Sequence, residues 1–206
     1  MKKLLLIVGL IAAALVAVPL AGAATIYNLP ADFSGVQGQD GWHYGAVTHP
    51  NYWGSWVTNW HDYYYQSTFY QDFGPFWAGV EESGTWKRVY SNVLWSNHTD
   101  GPGVYWEVAA GNLYPEVTVL AQVTSGTWAT FLNYWDASTA TNTILNVGVN
   151  NTLYNVAAGD KIAYIMNAGP GSTVADGYNM TITIIPEPTA LALLLLGGLV
   201  LARRRR

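Results

Sequence analysis

Cysteine is absent from all 206 residues. Disulfides are therefore excluded, and an exported chain of this composition must be held by packing or by bound ions alone. Positive charge is nearly as scarce once the two ends are set aside, because Lys2, Lys3 and Arg203 to Arg206 account for six of the nine basic residues. From Ala24 to Ile185 only Lys87, Arg88 and Lys161 face twelve carboxylates. A surface that acidic repels phosphate backbones and anionic headgroups, which argues against nucleic-acid and peripheral membrane binding. Neutral partners and cations remain. A sustained helical period is missing from the middle as well. What that region has instead is aromatic mass: all ten Trp, fourteen Tyr and five Phe. A region of this length buries roughly 70% of its unfolded surface, so the rings can supply a sizeable core.

The ends are processing segments. Met1-Lys2-Lys3 precedes an apolar run from Leu4 to Val18, Pro19 breaks it, and Ala21-Gly22-Ala23 gives small residues at the positions a signal peptidase reads. The expected cut follows Ala23, with Ala24 as second choice, so residues 1–23 form the signal peptide. At the other end, Pro186-Glu187-Pro188 precedes an apolar run from Thr189 to Ala202 and then Arg203-Arg204-Arg205-Arg206. The two prolines hold the first part extended, as a protease requires. Fourteen residues of helix reach about 21 Å against about 30 Å of hydrocarbon, short for a permanent span. The arginines snorkel to close part of the gap, and the positive-inside tendency keeps them cytoplasmic with the domain outside.

In order and position, residues 186–206 resemble the PEP-CTERM signal read by bacterial exosortases. The resemblance implies a short transmembrane helix as a transient inner-membrane anchor, removed near Pro186-Glu187-Pro188. It implies signal peptidase and exosortase as partners during export, and delivery outside the cell or to its surface. The alternative is a plain C-terminal anchor helix.

Between the ends, period-two alternation dominates. Tyr178, Met180, Ile182 and Ile184 oppose Asn179, Thr181 and Thr183. Val117, Val119, Ala121 and Val123 oppose Glu116, Thr118, Gln122 and Thr124; Leu145, Val147 and Val149 alternate with Asn146, Gly148 and Asn150; Ile162, Tyr164 and Met166 alternate with Lys161 and Ala163. Turn clusters separate the runs: Ser125-Gly126, Asn150-Asn151, Ala158-Gly159-Asp160 and Gly169 to Ser172. This predicts an all-β fold, an antiparallel, jelly-roll-like β-sandwich over residues 24–185, with almost all helix confined to the signal and the tail. Gln37 to Tyr44, Val156 to Tyr164 and Asp176 resemble the jelly-roll domains found ahead of PEP-CTERM tails, themselves similar to carbohydrate-binding modules.

For chemistry, Trp53, Trp56 and Trp60, followed by Tyr63, Tyr64 and Tyr65, form the densest aromatic cluster. Flat rings on an exposed face stack on sugar rings, each contributing on the order of a kcal/mol beyond burial, and Asn51, Asn59 and Gln66 are at hand for hydroxyls. Large aromatics more often bury most of their surface, so the alternative is that these rings are core. His43, His49, His61 and His98 show no close zinc spacing. Asp100, Asp136, Asp160 and Asp176 lie near turns, where Ca²⁺ finds oxygen donors but where Asp also bonds its own backbone. No cofactor or metal is assigned, with calcium left open. Glu81, Glu82, Glu107 and Glu116 show no arrangement of a glycosidase pair, and no nucleophile elbow or phosphate loop is present. The expectation is a secreted, non-enzymatic protein binding extracellular polysaccharide through Trp53, Trp56, Trp60 and Tyr64. The alternative is a self-associating structural matrix protein, and a glycan-active enzyme is a more distant one.

Overall fold

Alternating apolar residues in short runs, broken by Gly and Asn, fold as paired strands. A computed structural model describes residues 24–48, 56–66, 75–79, 87–96, 100–126, 130–167 and 174–186. The signal segment and residues 187–206 lie outside these, and so do Trp53, His49, His98, Glu81, Glu82 and the expected turn at 169–172. Among the described residues no helix is long and apolar enough to cross a membrane. The longest α-helix there is the single turn α1 (Leu29–Asp32), where Pro30 suits the first turn and Asp32 Oδ2 accepts the Asn28 N–H at 2.6 Å.

Thr25–Ile184 form one compact unit. Its strands are β1 (Thr25–Asn28), β2 (Trp42–Val47), β3 (Trp60–Asp62), β4 (Tyr64–Gln66), β5 (Phe76–Ala78), β6 (Lys87–Val89) and β7 (Val93–Ser96). They continue with β8 (Gly101–Glu107), β9 (Leu113–Ser125), β10 (Thr130–Asp136), β11 (Thr141–Leu145), β12 (Asn151–Ala157), β13 (Lys161–Met166) and β14 (Val174–Ile185). One sheet runs β12-β9-β14-β7-β6-β5-β4, with β1 beside the C-terminal half of β14; the other runs β11-β10-β13-β8-β2-β3. The pairings β7·β14, β8·β13, β9·β12 and β10·β11 nest inside one another and alternate between the sheets. The chain is thus an antiparallel β-sandwich.

The chain passes from one sheet to the other at both sides of the sandwich. On one side Tyr63 separates β3 from β4, and its N–H reaches the Tyr44 carbonyl at 3.0 Å. The Gln37 amide completes this junction: its Nε2 donates to the carbonyls of Tyr44 and Tyr63 at 2.6 and 3.3 Å, and its Oε1 accepts the Tyr44 N–H at 2.9 Å. On the other side, residues 146–150 carry the chain from β11 to β12. The expected strand through Val147 and Val149 is not formed; β11 ends at Leu145. Asn151 is the reason. Its amide donates to the carbonyls of Asn146 and Val149 at 2.8 and 3.0 Å and accepts the Asn146 N–H at 3.0 Å, while Gly148 takes a φ of 84° that a β-branched residue resists.

Between the sheets lies the main core, with Trp42, Tyr44, Trp106, Leu132, Tyr164, Tyr178, Met180 and Ile182 buried. Tyr44 stacks on Trp77 at 5.0 Å and Tyr164 on Tyr178 at 5.5 Å. Each such pair contributes about 0.5–1.5 kcal/mol beyond the area buried. Val117, Val119 and Ala121 face inward and are buried as the alternation predicts, but Val123, near the end of β9, is exposed.

Candidate functional site

Strand β13 breaks the inside-outside pattern in a way that marks a second layer. Ala163 and Ile165 point away from the main core, yet both are fully buried. They belong to a separate cluster on the outer face of the six-stranded sheet, together with Val47, Trp56, Tyr105 and Phe131, and with Val57, Trp60 and Trp135 packed against it.

Register sets the polar neighbours of these rings. One row across the sheet reads His43, Tyr105, Ala163, Asn133 and Ile144; the next reads Glu107, Lys161, Trp135 and Asn142. Tyr105 is the centre. The His43 ring stacks on it at 4.5 Å and 9°, the Trp60 ring meets it edge-on at 4.8 Å, and Lys161 Nζ lies 4.8 Å from its centroid. Lys161 Nζ also donates to Glu107 Oε2 at 2.9 Å, and His43 Nε2 is 3.7 Å from that same oxygen. Gly45 makes room for the indole of Trp60, since a Cβ there would come within 2.7 Å of the ring. Trp60 Nε1 donates to Asp62 Oδ1 at 2.9 Å. Trp56 Nε1 donates to Asn142 Oδ1 at 2.9 Å, and Asn142 Nδ2 in turn to Asn133 Oδ1 at 3.1 Å.

Desolvation holds His43 below its ordinary pKa, outweighing the opposing pull of Glu107 and Asp62. Burial, with Glu107 and Asp62, pushes Tyr105 far up, so it remains a neutral phenol. The surface is thus a neutral aromatic platform beside one compensated ion pair. Trp56, Val57, Trp60, Tyr105 and Lys161 line an open concavity of about 80 Å³. That is well below the several hundred Å³ of pockets that enclose small ligands, and it suits a ligand lying on the surface.

The residues expected to bind glycan do not share one face. Trp56 is fully buried and offers no ring to solvent; it supports the platform instead. Trp60 is half-buried within the platform. Tyr64 is 45% exposed but sits on β4, in the eight-stranded sheet, while Tyr63 is buried and Tyr65 packs on Trp77. His61 lies 3.9 Å from Asp100, which Lys87 Nζ contacts at 2.7 Å. The oxygens considered for calcium are engaged by protein donors at three of the four aspartates, Asp100 accepting from Lys87 Nζ. Asp160 accepts from the N–H groups of Ala137 and Ala157 and from the Tyr134 hydroxyl, at 2.7 to 2.9 Å. Asp136 accepts from Ser138 and Thr139. Among the described residues no group of three or more His, Cys, Asp or Glu is placed to hold a metal. Glu107 and Glu116 lie on different sheets, and Glu107 is paired with Lys161.

Sequence reasoning missed Tyr105, Trp135, His43 with Glu107 and Lys161, and the two asparagines. The alternation of Tyr105 and Glu107 against Val104 and Trp106 places the first pair on one face. Their neighbours come from strands distant in sequence.

No family model matches the chain, and no curated protein matches it. A solved structure of CBM86, a low-affinity xylan-binding module from the gut symbiont Roseburia intestinalis, is 11% identical. The match covers 81% of this chain and 97% of that one, with a TM-score of 0.34. At that score the likeness carries no argument about this chain.

Proposed function

We infer that this is an exported, exosortase-sorted, non-enzymatic protein of the bacterial surface or extracellular matrix, which binds polysaccharide on the outer face of its six-stranded sheet. One observation carries the binding reading. Trp60 is partly exposed on an open concavity, next to an ion pair whose carboxylate and ammonium lie 2.9 Å apart. Sugars present the matching chemistry, with C–H faces for an indole and adjacent hydroxyls for an acceptor and a donor. Because Lys161 is already compensated by Glu107 and the chain is acidic, a neutral glycan fits better than an anionic one. The nested strand pairs support a jelly roll. The signal segment and the Pro186-Glu187-Pro188 tail support export and removal of the anchor.

Affinity electrophoresis in gels containing neutral or acidic polysaccharides tests the binding. At least one neutral glycan should retard the protein, and Trp60→Ala should abolish most of that retardation. Passage at the same mobility through every neutral gel refutes the reading. Detection of the intact Arg203–Arg206 end on protein released from an exosortase-bearing host refutes the sorting.

A further inference from the structure

The two sheets end side by side in β11 and β12, and both strands lie in a segment of unusual composition. Residues 137–159 contain no Asp, Glu, Lys, Arg or His, in a chain whose middle region carries twelve carboxylates. Sheet edges are ordinarily guarded by charge, proline or a bulge, because an open edge pairs with another chain. Here one edge is guarded. In β12, Asn155 takes a φ of 56° and drops out of the ladder with β9, which resumes at Val156 in the same register. β11 has no such device. Its sequence is Thr-Asn-Thr-Ile-Leu, rich in β-branched residues, and its register with β10 runs unbroken from Thr141 to Leu145. Thr141 and Thr143 are exposed, Ile144 is 56% exposed, and no strand pairs with the far side of β11 among the described residues.

We propose that β11 pairs antiparallel with β11 of a second copy of this chain, about a two-fold axis normal to the sheet that passes midway between the two copies of Thr143. Charge selects the occupant. Two acidic copies repel over most of their surfaces, and this uncharged side is where they meet without like charges opposed. An antiparallel edge is also self-complementary under a two-fold axis. The symmetry has a consequence for function. An axis normal to the sheet keeps the same face outward in both copies, so two six-stranded sheets become one with both aromatic platforms on the same side. A long polymer would then engage two weak sites at once, which typically strengthens retention by about 10²–10⁴. That consequence rests on the glycan reading; the pairing does not.

The absence of cysteine makes the test clean. Thr143→Cys introduces a single thiol, and across the axis two such residues would be directly opposed at about 4.5–5.5 Å between Cα atoms, within disulfide reach. The full chain, purified in mild detergent and oxidised without glycan, should form a covalent dimer at least about tenfold faster than Gln122→Cys, an exposed control on β9. In sedimentation velocity, Thr143→Lys, which opposes like charges at the axis, should weaken dimerisation by roughly tenfold or more with an unchanged melting temperature. Equal cross-linking rates, or a dimer indifferent to Thr143→Lys, overturn the proposal. Glycan is absent throughout, so failure here leaves the binding reading intact, and failure of binding leaves the dimer intact.

Discussion

Glu107 and Lys161 face each other directly across β8 and β13, with Nζ 2.9 Å from Oε2 and 4.8 Å from the centre of the Tyr105 ring. Both side chains are partly open to solvent, at 32% and 19%. Solvent screening keeps such a pair to about 0.2–1 kcal/mol of stability, so it does little to hold the fold. Glu107→Gln should accordingly lower the melting temperature by no more than about 4 °C at about 2–4 °C per kcal/mol. The same change should weaken glycan retention several-fold in affinity electrophoresis.

Trp56 and Trp60 are close in sequence and opposite in expected behaviour. Trp56 is fully buried, so Trp56→Ala should cost about 3–5 kcal/mol, a fall of roughly 6–20 °C in a thermal melt. Trp60 is only half-buried, and Trp60→Ala should cost clearly less while removing binding. Differential scanning calorimetry of the two variants separates the roles.

His43 gives a pH dependence. Its pKa is lowered on folding, so the folded state favours the neutral ring. The stability it contributes is full above the unfolded value of about 6.5 and is lost as pH falls through the folded value. The NMR titration of the His43 imidazole should have its midpoint below 6.5, and His43→Gln should flatten the matching part of the stability profile.

At the alkaline end, burial pushes Tyr44 and Tyr164 up to about 12. Their contribution is full below the unfolded value of about 10 and disappears as pH rises from there through about 12. Absorbance near the phenolate band should therefore show a group of tyrosines that ionise only as the fold is lost.

Asp160 closes a turn from within. It is 2% exposed and accepts three hydrogen bonds that join β12 to the turn after β10. Asp160→Ala strands all three donors and should cost about 3–5 kcal/mol, measured by denaturant unfolding.

Much of the sandwich is legible in the sequence because period two survives wherever one face meets the core: Tyr178, Met180, Ile182 and Ile184 are all buried as their spacing implies. The same rule misreads Val147 and Val149, where the Asn151 amide outcompetes strand pairing. It is also silent at Ala163 and Ile165, whose outer face is covered by a second aromatic layer. The platform is less legible still. His43, Tyr105 and Lys161 come from three strands, and only register brings them together. The Trp53 to Tyr65 cluster contributes Trp60, while Trp56 supports it from below and Tyr64 falls on the other sheet.

Indole N–H spectra of the isotopically labelled protein, titrated with a neutral polysaccharide that retards it, locate the bound glycan ring by ring. Shifts confined to Trp60 and Trp135, with Trp42 and Trp106 of the main core unmoved, are the predicted result. Shifts concentrated at Trp77 or Trp95 of the eight-stranded sheet, with Trp60 and Trp135 unmoved, would contradict it.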